Sequence, residues 1–352
     1  MTAKDEQLLS IATRLDILAV EVRALAGTVV DPPPPVVTGK GVWTSAAELA
    51  TKPTSGVAWA ALLAAAASPA TPNLVNQDDG ADVRVMARGL VYARTGAGAY
   101  KDQVVQACEA VVGTEPGARA LALGRNLVGY VIGADLVGHR SDRFVSWLRA
   151  VRKATTTGGP VNLIACHEER PNNWGTHCGA SRAAIAAYLG DQTELARCAV
   201  VFHGWLGDRA SYAGFEYGEL SWQFDQAKPV GVNPRGATRD GHSIDGVLPD
   251  DQRRTAGGFV WPPPKENYVW EALQGAVVCA EILTRAGFLA WEWQDRALLR
   301  AVTWLHEQAN FPAGGDDSWI PHLVNFRYGT KFPAPVPSSP GKNCGWTDWS
   351  HA

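Results

Sequence analysis

A chain of 352 residues, 46% hydrophobic and 19% charged, is long enough to bury a sizeable core and apolar enough to fold over most of its length. Its net charge of −3, with no basic block, argues against a nucleic-acid backbone as partner. No apolar run is expected to be long enough to span a bilayer, and the polar opening Met1–Gln7 does not read as a secretory signal.

Residues 5–26 carry a heptad. Leu8, Ile11, Leu15, Leu18, Val22 and Leu25 recur at gaps of 3, 4, 3, 4 and 3, which is the a/d seam of a coiled coil. Ala12 and Ala19 at e positions widen the apolar face and favour three or more strands. Residues 1–28 are therefore expected to form an oligomerising helix, a homotrimer by preference. The alternative is an amphipathic helix docked on the body. Asp31-Pro32-Pro33-Pro34-Pro35 makes 29–42 a stiff spacer, and 43–352 is expected to be one folded body.

Within the body, Ser45 and Glu48 have capping-box spacing. Helical periodicity follows over about 56–68, 81–95, 99–113, 117–137, 142–157, 177–189, 191–207, 267–287 and 291–309. Asp78-Asp79-Gly80 and Ser141-Asp142 supply start signals. Strand-like alternation is scarce. Short loops between long helices imply antiparallel hairpins. The fold class read from this is all-α: hairpins in an arc or toroid, with a cleft lined by loops and helix ends. Two stretches, 222–265 and 311–352, break the rhythm with Gly, Pro, charged and aromatic residues. Loops of that length in a compact domain are read as functional. The 14 tryptophans offer flat faces for sugar rings, and equally fill gaps between helices.

The stretch Arg170-Pro171-Asn172-Asn173-Trp174-Gly175-Thr176-His177 opens onto an Ala-rich helix. Two adjacent amides, an indole and an imidazole at a helix mouth suit a grip on a sugar acid. The plainer reading is an Asn-rich cap. Later come Asp245-Gly246-Val247-Leu248-Pro249, Arg254, and then Glu266-Asn267-Tyr268 opening a helix that runs to Ala280-Glu281-Ile282. In this order, over residues 43–310, the motifs resemble the alginate lyase superfamily of (α/α) toroid polysaccharide lyases. The resemblance implies a cofactor-free β-elimination on a uronate glycan. At one position the chain departs from the pattern: the family histidine after the second Asn is Trp174 here.

Such a lyase removes the C5 proton of a uronic acid and expels the 4-linked sugar. The proton becomes acidic only when the adjacent carboxylate is neutralised by amide and guanidinium donors. The resemblance gives that role to Asn173, with Asn172 beside it, and to Arg254. Tyr268 becomes the acid, or both acid and base in a syn elimination. His177, one helical turn beyond Asn173, and His242 are the candidate bases. Trp174 is the alternative stacking platform, and Trp261, Glu266 and Arg327 complete the substrate contacts. Asp250 or Asp251 is the competing ion-pair partner for Arg254.

Cys166-His167 and His177-Cys178 match no standard zinc spacing, and Asp316-Asp317 is too small a set for calcium, so no metal is expected. The six scattered cysteines read as buried reduced thiols. Two alternatives stay open. One is a glycoside hydrolase using two of Glu168, Glu169, Asp245 and Glu266. The other is a non-catalytic glycan-binding module. The stalk, spacer and glycan-degrading body together suggest a virion-associated depolymerase, such as a phage tail protein, with an acidic polysaccharide as partner.

Overall fold

The computed structural model describes residues 41–255 and 257–352. The coiled coil expected over 1–28, and all but the end of the 29–42 spacer, lie outside the described residues. Val42 and Trp43 are already buried, and Val42 N donates to Asp135 Oδ2 at 2.8 Å.

The described chain is mostly helical. Helix α1 (Ala46–Leu49) opens on the expected capping box, Ser45 and Glu48 bonding each other's backbone N–H. There follow α2 (Val57–Ala67), α3 (Ala81–Thr95), α4 (Gly98–Val111), α5 (Ala120–Asn126), α6 (Val128–Val137), α7 (Asp142–Val151), α8 (Leu163–Glu169), α9 (Asn173–Leu189) and α10 (Gln192–Leu206). A two-residue hairpin pairs β1 (Thr238–Arg239) with β2 (His242–Ser243). The chain continues through α11 (Pro249–Gln252), α12 (Asn267–Arg285), α13 (Trp293–Glu307), a 3-10 turn (Gly315–Asp317), α14 (Ile320–Tyr328) and α15 (Thr347–Ser350).

Three differences from the expected helices have physical causes. The single helix over 117–137 is two, because Gly129 N donates to Asp82 Oδ2 at 3.3 Å. The carbonyl of Arg125, four residues earlier, accepts from Asn343 N at 3.2 Å instead. Helix α9 starts four residues early, at Asn173, because Asn172 Oδ1 caps Trp174 N at 3.2 Å. Helix α13 opens with Gln294, Asp295 and Arg296 in the left-handed region. There Arg300 donates to the carbonyls of Gln294 and Asp295, which offsets part of a cost of about 1–2 kcal/mol per residue. Helices α8 and α14 form where no helix was expected.

Helix α9 is central and packs on α5, α8, α10 and α12. Its starts and partners fix direction. Cys178 meets the Ala120 carbonyl and Ser181 the Gly124 carbonyl, so α9 and α5 run parallel. The first turns of α9 and α12 are both tied to the segment 250–255, so these two run parallel as well. Their seam needs glycine: a Cβ at Gly275 would lie 2.4 Å from His177 N. Packing neighbours lead from α12 to α14, α15, α2 and α3, and from α3 through α6 and α5 back to α9. Trp349 Nε1 of α15 also bonds the Pro53 carbonyl, just ahead of α2, at 2.8 Å.

Trp43, Trp222, Trp270, Trp319, Trp346 and Trp349 are fully buried, so much of the tryptophan content fills the core rather than a cleft. All six cysteines are buried and free. Contrary to the expectation from hydropathy, Ala120–Val137 is long and apolar enough to cross a bilayer, but it is mostly buried inside the protein, as a core helix is.

Candidate active site at the mouths of two parallel helices

The Asn172-Asn173 turn and the segment Asp250–Arg254 meet at the N-termini of α9 and α12. Asn172 Nδ2 donates to Asp250 Oδ2 at 3.0 Å, and Asn173 N donates to Asp251 Oδ1 at 3.0 Å. Asp250 also accepts from Arg253 Nε at 2.9 Å and from Gly218 N at 3.1 Å. Arg253, rather than Arg254, therefore takes the acidic partner, which leaves Arg254 to the site. Its Nη1 reaches Asn173 Oδ1 at 3.4 Å, and its guanidinium lies 4.2 Å from the centre of the Tyr268 ring. Tyr268 itself is 39% exposed.

Three buried polar atoms here have no hydrogen-bond partner among the described residues: Asn173 Nδ2, Asp251 Oδ2 and Gln252 Oε1. Burial, reinforced by Asp250, holds the Asp251 carboxyl well above the usual carboxylate range. Glu266 has a different role from the substrate contact expected of it. It is buried, caps Tyr268 N at 3.2 Å and accepts Thr255 N at 2.8 Å. It thereby clips the Arg254 segment to the start of the Tyr268 helix.

The remaining residues singled out from sequence divide sharply. His177 is fully buried, its Nδ1 on Asn343 Oδ1 and its Nε2 3.5 Å from Glu271 Oε2. It faces Glu271 rather than open cleft. His242 stacks on Trp261 at 4.3 Å and 8° between planes. Among the described residues, neither ring is hydrogen-bonded to or stacked on Asn173, Arg254 or Tyr268. Trp174 is half-buried, its ring against Gly159. Arg327 does not belong to this site: it is committed to the buried Glu281, 13 residues or about 20 Å further along α12.

Two of the four hydrolase carboxylates are held in ion pairs away from this site. Glu168 is paired with Arg182 and Arg197, and Asp245 with Arg300. Among the described residues no group of three or more His, Cys, Asp or Glu is placed to hold a metal ion. His167 Nδ1 is taken up by Arg182 Nη1 at 3.3 Å. An open pocket lined by Arg209, Phe224, Lys228 and Arg235 lies elsewhere and shares no residue with the Asn173 cluster.

Sequence reasoning missed Glu271, Arg125, Lys342 and Asn343. Glu271 follows Tyr268 by three residues, so helical spacing alone puts the two on one face. Arg125 donates to Glu271 and, at 3.1 Å, to Asp78 Oδ1. Lys342 reaches Asp78 at 3.3 Å. The chain matches no protein-family model and no curated protein.

Proposed function

We propose that the chain is a polysaccharide lyase of the alginate-lyase-like type, cleaving a uronate-containing glycan by β-elimination. The observation that carries this reading is the buried Asn173 Nδ2, an unused donor whose partner atom Oδ1 is held only by a long 3.4 Å bond from Arg254. An unsatisfied buried donor costs about 1–3 kcal/mol. A sugar carboxylate entering between Arg254 and Asn173 exchanges that long bond for charge-assisted ones. The converging N-termini of α9 and α12 add favourable dipoles. The carboxylate so neutralised makes the neighbouring C–H acidic. Tyr268, under the Arg254 guanidinium, then protonates the leaving oxygen.

The finer architecture belongs to the same proposal. Parallel helices whose neighbours lead round to the first helices support an (α/α) toroid over 43–352. Residues 5–26 would trimerise the enzyme, and a virion-associated depolymerase acting on a capsule or cell envelope is the setting that suits a stalk and spacer.

The test is incubation with a panel of acidic polysaccharides, reading both unsaturated-uronate absorbance and reducing ends. Elimination raises both. Reducing ends without absorbance would replace the proposal with hydrolysis, and binding without either signal would leave a glycan-binding module.

A further inference from the structure

The elimination reading leaves the base unnamed, and the following rests on that reading. We infer that Glu271 is the catalytic base, with His177 and Arg125 as its positioning residues. Glu271 lies one helical turn from Tyr268 on the same face of α12. Its side chain is 12% exposed, whereas His177 is wholly enclosed behind it. Both recorded contacts, from Arg125 Nη2 and His177 Nε2, fall on Oε2. Oε1 has no hydrogen-bond partner among the described residues and is the oxygen left for a substrate proton.

The tautomer of His177 follows from Asn343. Asn343 Nδ2 donates to the carbonyls of Gly124 at 2.7 Å and Arg125 at 3.3 Å, so its Oδ1 is an acceptor. His177 Nδ1, bonded to that oxygen, must carry a proton. Neutral His177 therefore aims the Nε2 lone pair at the Glu271 carboxylate, and the 3.5 Å separation is too long for a hydrogen bond. Two facing acceptors repel, and protonating Glu271 relieves the repulsion. Burial holds the His177 pKa below its ordinary value, which keeps the imidazole neutral. Burial raises the Glu271 carboxyl, but His177, then Arg125 and Lys342, outweigh it and hold the carboxyl below its ordinary value, which keeps Glu271 in the proton-accepting carboxylate form. The other charged groups facing the pair are Asp78, Lys342 and Asp317.

In the reaction, Glu271 Oε1 takes the C5 proton and the C5–H electron pair becomes the C4–C5 double bond. The C4–O bond breaks, and its electrons stay on the leaving oxygen, which takes the Tyr268 phenolic proton. Return of the proton from Glu271 to the Tyr268 phenolate resets both groups without water.

Two measurements test this. In Glu271→Gln, kcat is expected to fall about 10²–10⁴-fold with KM little changed. Glu271→Asp should recover part of the rate. The wild-type kcat should fall as acid protonates His177, and this limb should vanish from the residual rate of Glu271→Gln. Nitrogen NMR of the wild-type protein should show His177 protonated at Nδ1 and bare at Nε2 at neutral pH. A proton on Nε2 there overturns the proposal whatever the activity. Unsaturated product from wild type and Glu271→Gln alike overturns it too, and leaves Tyr268 as both acid and base. No product from wild type overturns the elimination reading, and this proposal with it.

Discussion

The two ends of α12 hold superficially similar polar clusters, each with an arginine that the sequence offered to the substrate. At the far end, Glu281 is fully buried and finished. Arg327 Nε donates to it at 2.6 Å, Arg327 Nη2 takes its other oxygen, and Trp291 Nε1 adds a bond at 3.1 Å. At the near end, Arg254 makes one 3.4 Å bond and rests on an aromatic ring, while Asn173 Nδ2 and Asp251 Oδ2 are buried and unpaired. A completed network holds a fold together. An incomplete one costs stability that only a ligand recovers. The contrast places Arg327 in the fold's support, and under the proposed function gives Arg254 the binding role.

Substitutions can break or sharpen that contrast. The largest effect is expected at the near end, where Tyr268→Phe should lower turnover on a uronate glycan about 10²–10⁴-fold with an unchanged melting temperature. A melting temperature that drops with the activity would make Tyr268 a structural residue. Arg327→Ala should do the reverse. It removes the nearest charge partner of the buried Glu281, leaving Arg285 at 3.8 Å and the Trp291 donor, and should destabilise the fold by about 1–3 kcal/mol in denaturant titrations. Turnover per folded molecule should persist, and a turnover loss without destabilisation would return Arg327 to the substrate. Glu266→Ala removes a cap and should cost about 1 kcal/mol. Because Glu266 also clips Thr255 beside Arg254, a raised KM should accompany that loss.

The last effect is one of pH and concerns Asp317, which accepts from Gln274 of α12. Burial, then Asp316, raises its carboxyl to about 8 from an unfolded value of 3.8. Between those values the folded state holds a proton that the unfolded state has lost, so this contribution to stability declines as pH rises and is spent above about pH 8. Asp317→Asn keeps the bond from Gln274 and should flatten the decline of melting temperature with pH. An unaltered slope would place the titration elsewhere, with Asp82, raised to about 7 by burial, the next group to replace.

Much of the fold was legible because it is local. Ser45 with Glu48, and the apolar periodicity of α3, α4, α10 and α12, act over a few residues. The break between α5 and α6 was not legible, since it depends on Asp82 and Asn343, both remote in sequence. The site shows the same division. Asn172, Asn173, Arg254 and Tyr268 form a readable order, and the structure joins them. That Arg253 rather than Arg254 would take Asp250 is a matter of side-chain direction that spacing does not carry. The state of His177 rests on Asn343, 166 residues away. Glu271 could have been found, since it follows Tyr268 by one turn, but a single glutamate on a helix face is ordinarily a solvated one.

The most direct measurement is calorimetric binding of a uronate oligosaccharide to Tyr268→Phe, which keeps the ring under Arg254 but leaves the substrate intact. The same sugar with its carboxyl groups reduced to alcohols serves as the comparison. Hydrogen bonds to a charged group contribute about 1.5–3 kcal/mol, so the reduced sugar should bind about tenfold or more weakly. Asn173→Ala should erase most of that difference. Equal affinity for the two sugars would contradict a carboxylate site at Asn173 and Arg254.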